Sequence, residues 1–167
     1  MKQNQLSYGS GKVLTDGGGI EYNTNMELPR MLLDTNVLVA ALRSKRGASH
    51  RLLLLVDSGR FDLYVSVPLI LEYESVVKRQ SKATQLSSKD VDAVIDYLCA
   101  VGVASKIFYL WRPVLKDPKD DMVLELAVAG GCQYIVTFNK VDFVGSERFG
   151  IQVVTPKEFL SIIGELP

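Results

Sequence analysis

The chain has 167 residues and carries 19 Lys and Arg against 19 Asp and Glu, so its formal net charge is zero. That length suits one domain with a proper core, and 47% apolar with 23% charged residues excludes a disordered chain. Balanced charge also excludes a bulk polycation that holds nucleic acid by net charge alone, while leaving room for a local basic patch.

Residues 1–29 are dominated by Gln, Asn, Ser and Gly, and Gly17-Gly18-Gly19 breaks any periodicity. They are expected to be a disordered tail ahead of one folded domain over residues 30–167. A Gly-rich phosphate loop would need a strand before it and a helix after it, and neither pattern is present. Met26 and Met31 stand just before the first strand, so part of the tail is expected to be a start-site artefact.

Met31-Leu32-Leu33 reads as a short apolar strand ending in Asp34, and a helix begins over Val37 to Leu42. A polar break from Arg43 to Gly47 precedes a second helix carrying Leu52, Leu53, Leu55 and Val56, which Gly59 ends. Phe61 to Val65 alternates as a strand should. Ser66 then caps a helix with Pro68 in its first turn, where the missing N–H costs nothing.

Ser87 and Ser88 open another helix, with Val91, Val94, Ile95, Leu98 and Val101 along one face. Ile107 to Leu110 reads as a strand, and a helix from Lys119 to Ala129 ends at Gly130-Gly131. Tyr134 to Thr137 and Gln152 to Val154 are the last strands, and Thr155-Pro156-Lys157-Glu158 is a capping box with Pro at the first helical position. Strands and helices thus alternate. The predicted fold is α/β, three layers α/β/α, with a central, mainly parallel sheet covered by helices on both faces.

Two cysteines, Cys99 and Cys132, are too few for a disulfide scaffold and lack metal-ligand spacing. They are expected to be buried thiols in a reducing compartment. No run approaches the roughly 18 apolar residues of a transmembrane helix, and no signal-peptide apolar stretch follows Lys2 or Lys12. A cytoplasmic protein with no membrane partner is expected.

Ligands of open parallel sheets bind beyond the carboxyl ends of the strands, and acids gather there. Asp34 follows the first strand, Glu72 and Glu74 lie one to two turns into the next helix, Asp117, Asp120 and Asp121 crowd a helix start, and Asn139 and Asp142 follow Thr137. Converging carboxylates repel by a few kcal/mol per close pair at intermediate dielectric. A hard cation such as Mg²⁺ or Mn²⁺ removes that cost and suits oxygen donors. It can also activate water and stabilise charge developing on a phosphodiester. His50 is the single histidine and sits in a basic stretch, which argues against His-based catalysis and His-rich zinc sites.

Plainer roles compete for each acid. Asp34 also suits a helix N-cap, Asp117 and Asp120 suit the positive end of a helix dipole, and Asp142 suits a loop. Asp121 lies where the helix should face the strand ends. Glu74 reads as a solvated helix charge and Glu72 as the functional acid.

These residues resemble a known family. Leu32-Leu33-Asp34-Thr35-Asn36-Val37-Leu38-Val39 is similar to the opening motif of PIN domains, the ribonuclease fold of VapC-type toxins. Val65-Ser66 with Glu72 resembles the second motif, Asp117-Pro118-Lys119-Asp120-Asp121-Met122-Val123-Leu124-Glu125-Leu126-Ala127 the third, and Tyr134 to Phe143 the fourth. The closing Ile151 to Leu160 resembles the end of the toxin branch, so the likeness spans residues 31–163.

The resemblance implies that Asp34, Glu72, Asp121 and Asp142 are catalytic and hold Mg²⁺ or Mn²⁺, with Asn36 and Thr137 orienting ligands or water from behind. Asn139 stands where many members carry Asp, and it or Asp142 completes the metal site. The implied activity is endoribonuclease, as the toxin of a toxin–antitoxin pair. The implied partners are RNA, a cognate antitoxin protein and a second copy of the chain.

RNA would reach the acids through its phosphates, so cations should flank them. The leading candidates are Arg43, Lys45, Arg46 and Arg51, near His50, and a second group is Lys78, Arg79 and Lys82. Lys116, Lys119 and Lys140 sit inside the acidic motifs. No aromatic-interleaved basic stripe appears, so base stacking is not expected, and Tyr109 and Trp111 are read as core or interface residues. The segment 36–58 carries many Leu and Val for a small domain, which a homodimer would cover.

One alternative is a catalytically weak PIN-like RNA-binding or assembly module, kept open by Asn139. A haloacid-dehalogenase phosphatase also begins strand-Asp, but its chemistry needs a second Asp where Asn36 stands.

Overall fold

The computed structural model describes residues 12–14, 20–22, 27–107 and 114–166. Strands β1 (Lys12–Leu14) and β2 (Ile20–Tyr22) pair antiparallel within the segment expected to be a tail. The remainder of residues 1–26, with Tyr109, Trp111 and most of the strand expected over 107–110, lies outside the described residues.

Five strands form the central sheet: β3 (Arg30–Leu33), β4 (Asp62–Val65), β5 (Val103–Ala104), β6 (Tyr134–Val136) and β7 (Gln152–Val154). Their order is β5-β4-β3-β6-β7 and every pairing is parallel. The strands at the centre are apolar without alternation: Met31, Leu32 and Leu33 of β3 and Tyr134, Ile135 and Val136 of β6 are all buried. That is the pattern of strands packed on both faces, and the sheet is the middle layer of an α/β/α sandwich.

The helices among the described residues are α1 (Thr35–Arg43), α2 (Ala48–Leu54), α3 (Val67–Arg79), α4 (Ser81–Thr84), α5 (Ser88–Val101), α6 (Pro118–Ala129) and α7 (Pro156–Ile162). None is long and apolar enough to cross a membrane. Helix starts follow their capping residues. Ser66 accepts from the Leu69 N–H, and both Ser87 with Asp90 and Thr155 with Glu158 close reciprocal capping boxes. α2 stops five residues before Gly59, because the chain already turns at Asp57 (φ 69°).

Glycine is required at two close approaches. A Cβ on Gly102, between α5 and β5, would lie 2.6 Å from the Leu98 carbonyl oxygen, and one on Gly130 would lie 2.5 Å from the Tyr64 ring. Phe159 of α7 anchors the core, edge-on to Phe61 (5.4 Å) and Tyr134 (5.3 Å). Cys132 is buried, and burial pushes its thiol up to about 12. Cys99 corrects the expectation of two buried thiols: it is exposed, on the solvent side of α5. Leu52 and Val56 are buried, whereas Leu54 is exposed.

The chain builds outward from β3 through β4 to β5, then returns to lay β6 and β7 on the other side. The crevice between the carboxyl ends of β3 and β6 is therefore the topological switch point, where ligands of such sheets bind.

Candidate active site

Asp34 leaves the end of β3, and its backbone N–H donates to the Val136 carbonyl at 2.9 Å, tying it to the neighbouring strand. It occupies the N-cap position of α1 with extended backbone, yet its side chain makes no cap hydrogen bond. The carboxylate instead accepts from Asn36 Nδ2 at 2.7 Å and from Thr137 Oγ1 at 2.6 Å. Thr137 is fully buried and also accepts from Asn36 Nδ2 (3.1 Å) and from the Asn139 N–H (2.9 Å). Burial raises the Asp34 pKa. The Thr137 hydroxyl and the nearby N–H groups of Asn36 and Thr35 pull it back, and the charge of Glu72 adds to the rise.

Glu72 sits on α3, and its Oε1 accepts from Thr35 Oγ1 at 2.7 Å. Its neighbour Tyr73 is buried and donates its hydroxyl to the Leu33 carbonyl, which locks α3 to the end of β3. Burial first, then the charges of Asp34 and Glu72, push that phenol well up.

Asp34, Asn36, Glu72, Asp120, Asn139 and Asp142 line one cleft of about 710 Å³ with Arg43 and Phe138. Three of the four acids read from the sequence therefore meet, and Asn139 with them. Asp121 does not, and this corrects the placement expected of it. Its Oδ1 accepts from the backbone N–H groups of Val114 and Leu115 at 3.0 and 2.9 Å, outside the cleft.

Asp120 faces the cleft in its place. Its carboxyl is pushed up to about 6, by burial first and then by the charges of Asp142, Asp34, Asp117 and Glu72. Asp117, for its part, is the N-cap of α6 and accepts from the Lys119 N–H at 2.9 Å. Reading Asp120 as a helix-dipole acid passed over this role. Val123 to Ala127 are all buried, so α6 has no polar face from which sequence could phase its first turn.

A family model described as PIN domain matches residues 30–141, two thirds of the chain. The chain belongs to the PIN domain family. PIN domains are generally nucleases, so phosphodiester hydrolysis is the broad activity that membership supports. The match takes in Asp34, Glu72, Asp120 and Asn139, and Asp142 falls one residue past its end. No curated protein matches the chain.

The PIN domain's cations divide by ion pairing. Arg43 lines the cleft, and Lys45 and Arg46 are exposed on the loop after it without lining it. Arg51 points elsewhere and pairs with Glu165 at 3.1 Å, which Arg60 also contacts at 3.1 Å. Lys78 is held by Glu74 (2.5 Å) and Asp92 (3.1 Å), and Lys140 by Glu158 (2.5 Å). On the far side of Glu72 a second hollow of about 460 Å³ is lined by Glu72, Arg79 and Lys119 among others.

The donors facing the cleft are all oxygens, which is the chemistry of a hard divalent cation. Carboxylates close enough to raise Asp120 by their charge supply the electrostatic demand for one. Among the described residues no three of His, Cys, Asp and Glu are drawn together closely enough to hold a metal ion by themselves.

Proposed function

We propose that this PIN domain is an endoribonuclease dependent on Mg²⁺ or Mn²⁺. The observation that carries the reading is the meeting of Asp34, Glu72, Asp120 and Asp142, from four separate segments, in one cleft at the sheet's switch point. Those four carboxylates, with Asn139 as a neutral oxygen donor, would hold the cation. A bound cation there supplies an activated water and charge stabilisation on the phosphodiester.

The chain's own residues prepare that site. Asn36 and Thr137 fix the Asp34 carboxylate, and Thr35 fixes Glu72. Asp120 holds a proton on its carboxyl below about pH 6, so proton and cation compete for the same oxygens and activity rises with pH through that range. Arg43 on one side, and Arg79 and Lys119 beyond Glu72, make no ion pair among the described residues and can take the flanking phosphates.

The likeness of Ile151 to Leu160 to the toxin branch supports a finer reading. In it the chain is a cytoplasmic toxin, paired with a second copy of itself and restrained by a cognate antitoxin. The competing reading is an RNA-binding or assembly module without catalysis, and it rests on the neutral Asn139. The test is incubation of the full chain with a mixed single-stranded RNA pool, in Mg²⁺ or Mn²⁺ and in chelator. Products with cation alone support the nuclease; retained RNA with no products in either condition overturns it.

A further inference from the structure

Phe138 lies between Thr137 and Asn139, is 51% exposed, and is the one aromatic lining the acidic cleft among the described residues. It shares the cleft with Asp34, Asn36, Asn139, Asp142 and Arg43, and with the apolar Val39, Ala40 and Val76, yet half of its surface stays open to solvent. The backbone that carries the ring is nonetheless held in place. The Phe138 N–H donates to Asn36 Oδ1 at 3.4 Å, and the next N–H, of Asn139, donates to Thr137 Oγ1 at 2.9 Å. Asn36 and Thr137 are the same two residues that hold Asp34, so the backbone beneath the ring and the carboxylate are tied to one pair of side chains.

We propose that Phe138 is a base-stacking residue: a nucleobase beside the phosphodiester at Asp34 lies on its ring, which makes the substrate RNA single-stranded at that point. This rests on the nuclease reading for its ligand. Every base presents a π-face, so one aromatic platform binds single strands with little regard to sequence. In a duplex that face is already covered by the neighbouring base pair, so a paired strand cannot use the platform. Arg43, which lines the same cleft, is left to take a phosphate while the ring takes the base.

A protein segment is the competing occupant, because Val141 and Val144 are 75% and 71% exposed close by in sequence. Neither lines the cleft, and an apolar partner laid on Phe138 would have to desolvate the carboxylates around it. The carboxylates and amides that share the cleft with Phe138 favour the nucleotide. In sequence a stacking surface shows as aromatics interleaved with basic residues, and one ring on a pinned loop leaves no such stripe.

The test uses the full chain in chelator, where a fluorescent single-stranded oligoribonucleotide and its abasic counterpart are titrated against wild type, Phe138→Ala and Phe138→Trp. Phe138→Ala is expected to bind the intact RNA about 5- to 150-fold more weakly, the span of one base–aromatic stack, with Phe138→Trp near wild type. Wild type and Phe138→Ala should bind the abasic RNA equally, and unchanged melting temperatures show that all three fold. Equal binding of intact RNA by wild type and Phe138→Ala, or the same loss on abasic RNA, overturns the proposal, as does a wild-type chain that binds no RNA. Cleavage in Mn²⁺, measured in parallel, tests the nuclease reading separately: the Phe138 pattern without products retains the stacking and rejects the hydrolysis.

Discussion

Thr137→Val isolates the hydroxyl that holds Asp34. Valine keeps the branched shape of a fully buried side chain, so the change removes hydrogen bonds rather than volume. Three are lost: the donation to Asp34 at 2.6 Å and the acceptances from Asn36 (3.1 Å) and the Asn139 N–H (2.9 Å). Asn36 keeps its bond to Asp34 and turns with it, so the dominant loss is the bond to the carboxylate, worth about 1.5–3 kcal/mol for a charged acceptor. At roughly 2–4 °C per kcal/mol for a domain of this size, the melting temperature should fall by about 3–12 °C at pH 7. Asp34 also loses the hydroxyl that opposes its rise, so its pKa climbs further and the acid limb of the cleavage profile moves to higher pH. Thermal melts and a pH–rate profile read both effects. A variant that melts within about 1 °C of wild type with a superimposable profile refutes the coupling of Thr137 to Asp34.

Asp120 makes a prediction about pH. Its pKa rises from 3.8 to about 6 on folding, so the stability it contributes is full below its unfolded value and is lost as pH rises through 6. Cation-free melts should decline over that window, Asp120→Asn should flatten the decline, and Mn²⁺ should raise the wild-type melting temperature at pH 7. Asp121→Ala, in contrast, strips the Val114 and Leu115 N–H groups of their acceptor; it should cost about 3 kcal/mol in urea melts while the folded fraction still cleaves. Arg43→Ala should lower the slope of log affinity for single-stranded RNA against log salt by about 0.7, as for one lost phosphate contact. Arg51→Ala should leave that slope unchanged, since Arg51 is committed to Glu165.

The parts of this molecule that local chemistry determines were legible in the sequence. Asp34 at the end of an apolar strand, Ser66 before Pro68, and the Thr155–Glu158 capping box all stand where pattern and spacing put them. The order of four acidic segments along one sheet edge followed from β-α alternation. What could not be read was phase. Neighbouring residues on a helix point about 100° apart, and α6 is buried through Val123–Ala127, so nothing local distinguishes Asp120 from Asp121. The Val114 and Leu115 N–H groups that claim Asp121 are brought to it by tertiary packing alone. Arg51 is the same case on α2: it belongs to a basic cluster by sequence, and its helix turns it toward Glu165. β5 is two exposed residues long, too short to show any period in the sequence.

The proposed ribonuclease site stands or falls with the carboxylates at the β3–β6 switch point and the cation they would hold. The most direct measurement is cleavage of a mixed single-stranded RNA pool by Asp34→Asn in Mg²⁺ or Mn²⁺, beside wild type at equal folded concentration. Asparagine keeps the oxygen that accepts from Thr137 and removes the charge, so the fold should survive. Cleavage should be at least about 100-fold slower, beyond the 10–100-fold typical of residues one step removed from a metal. Wild-type rates in Asp34→Asn would contradict the proposed site.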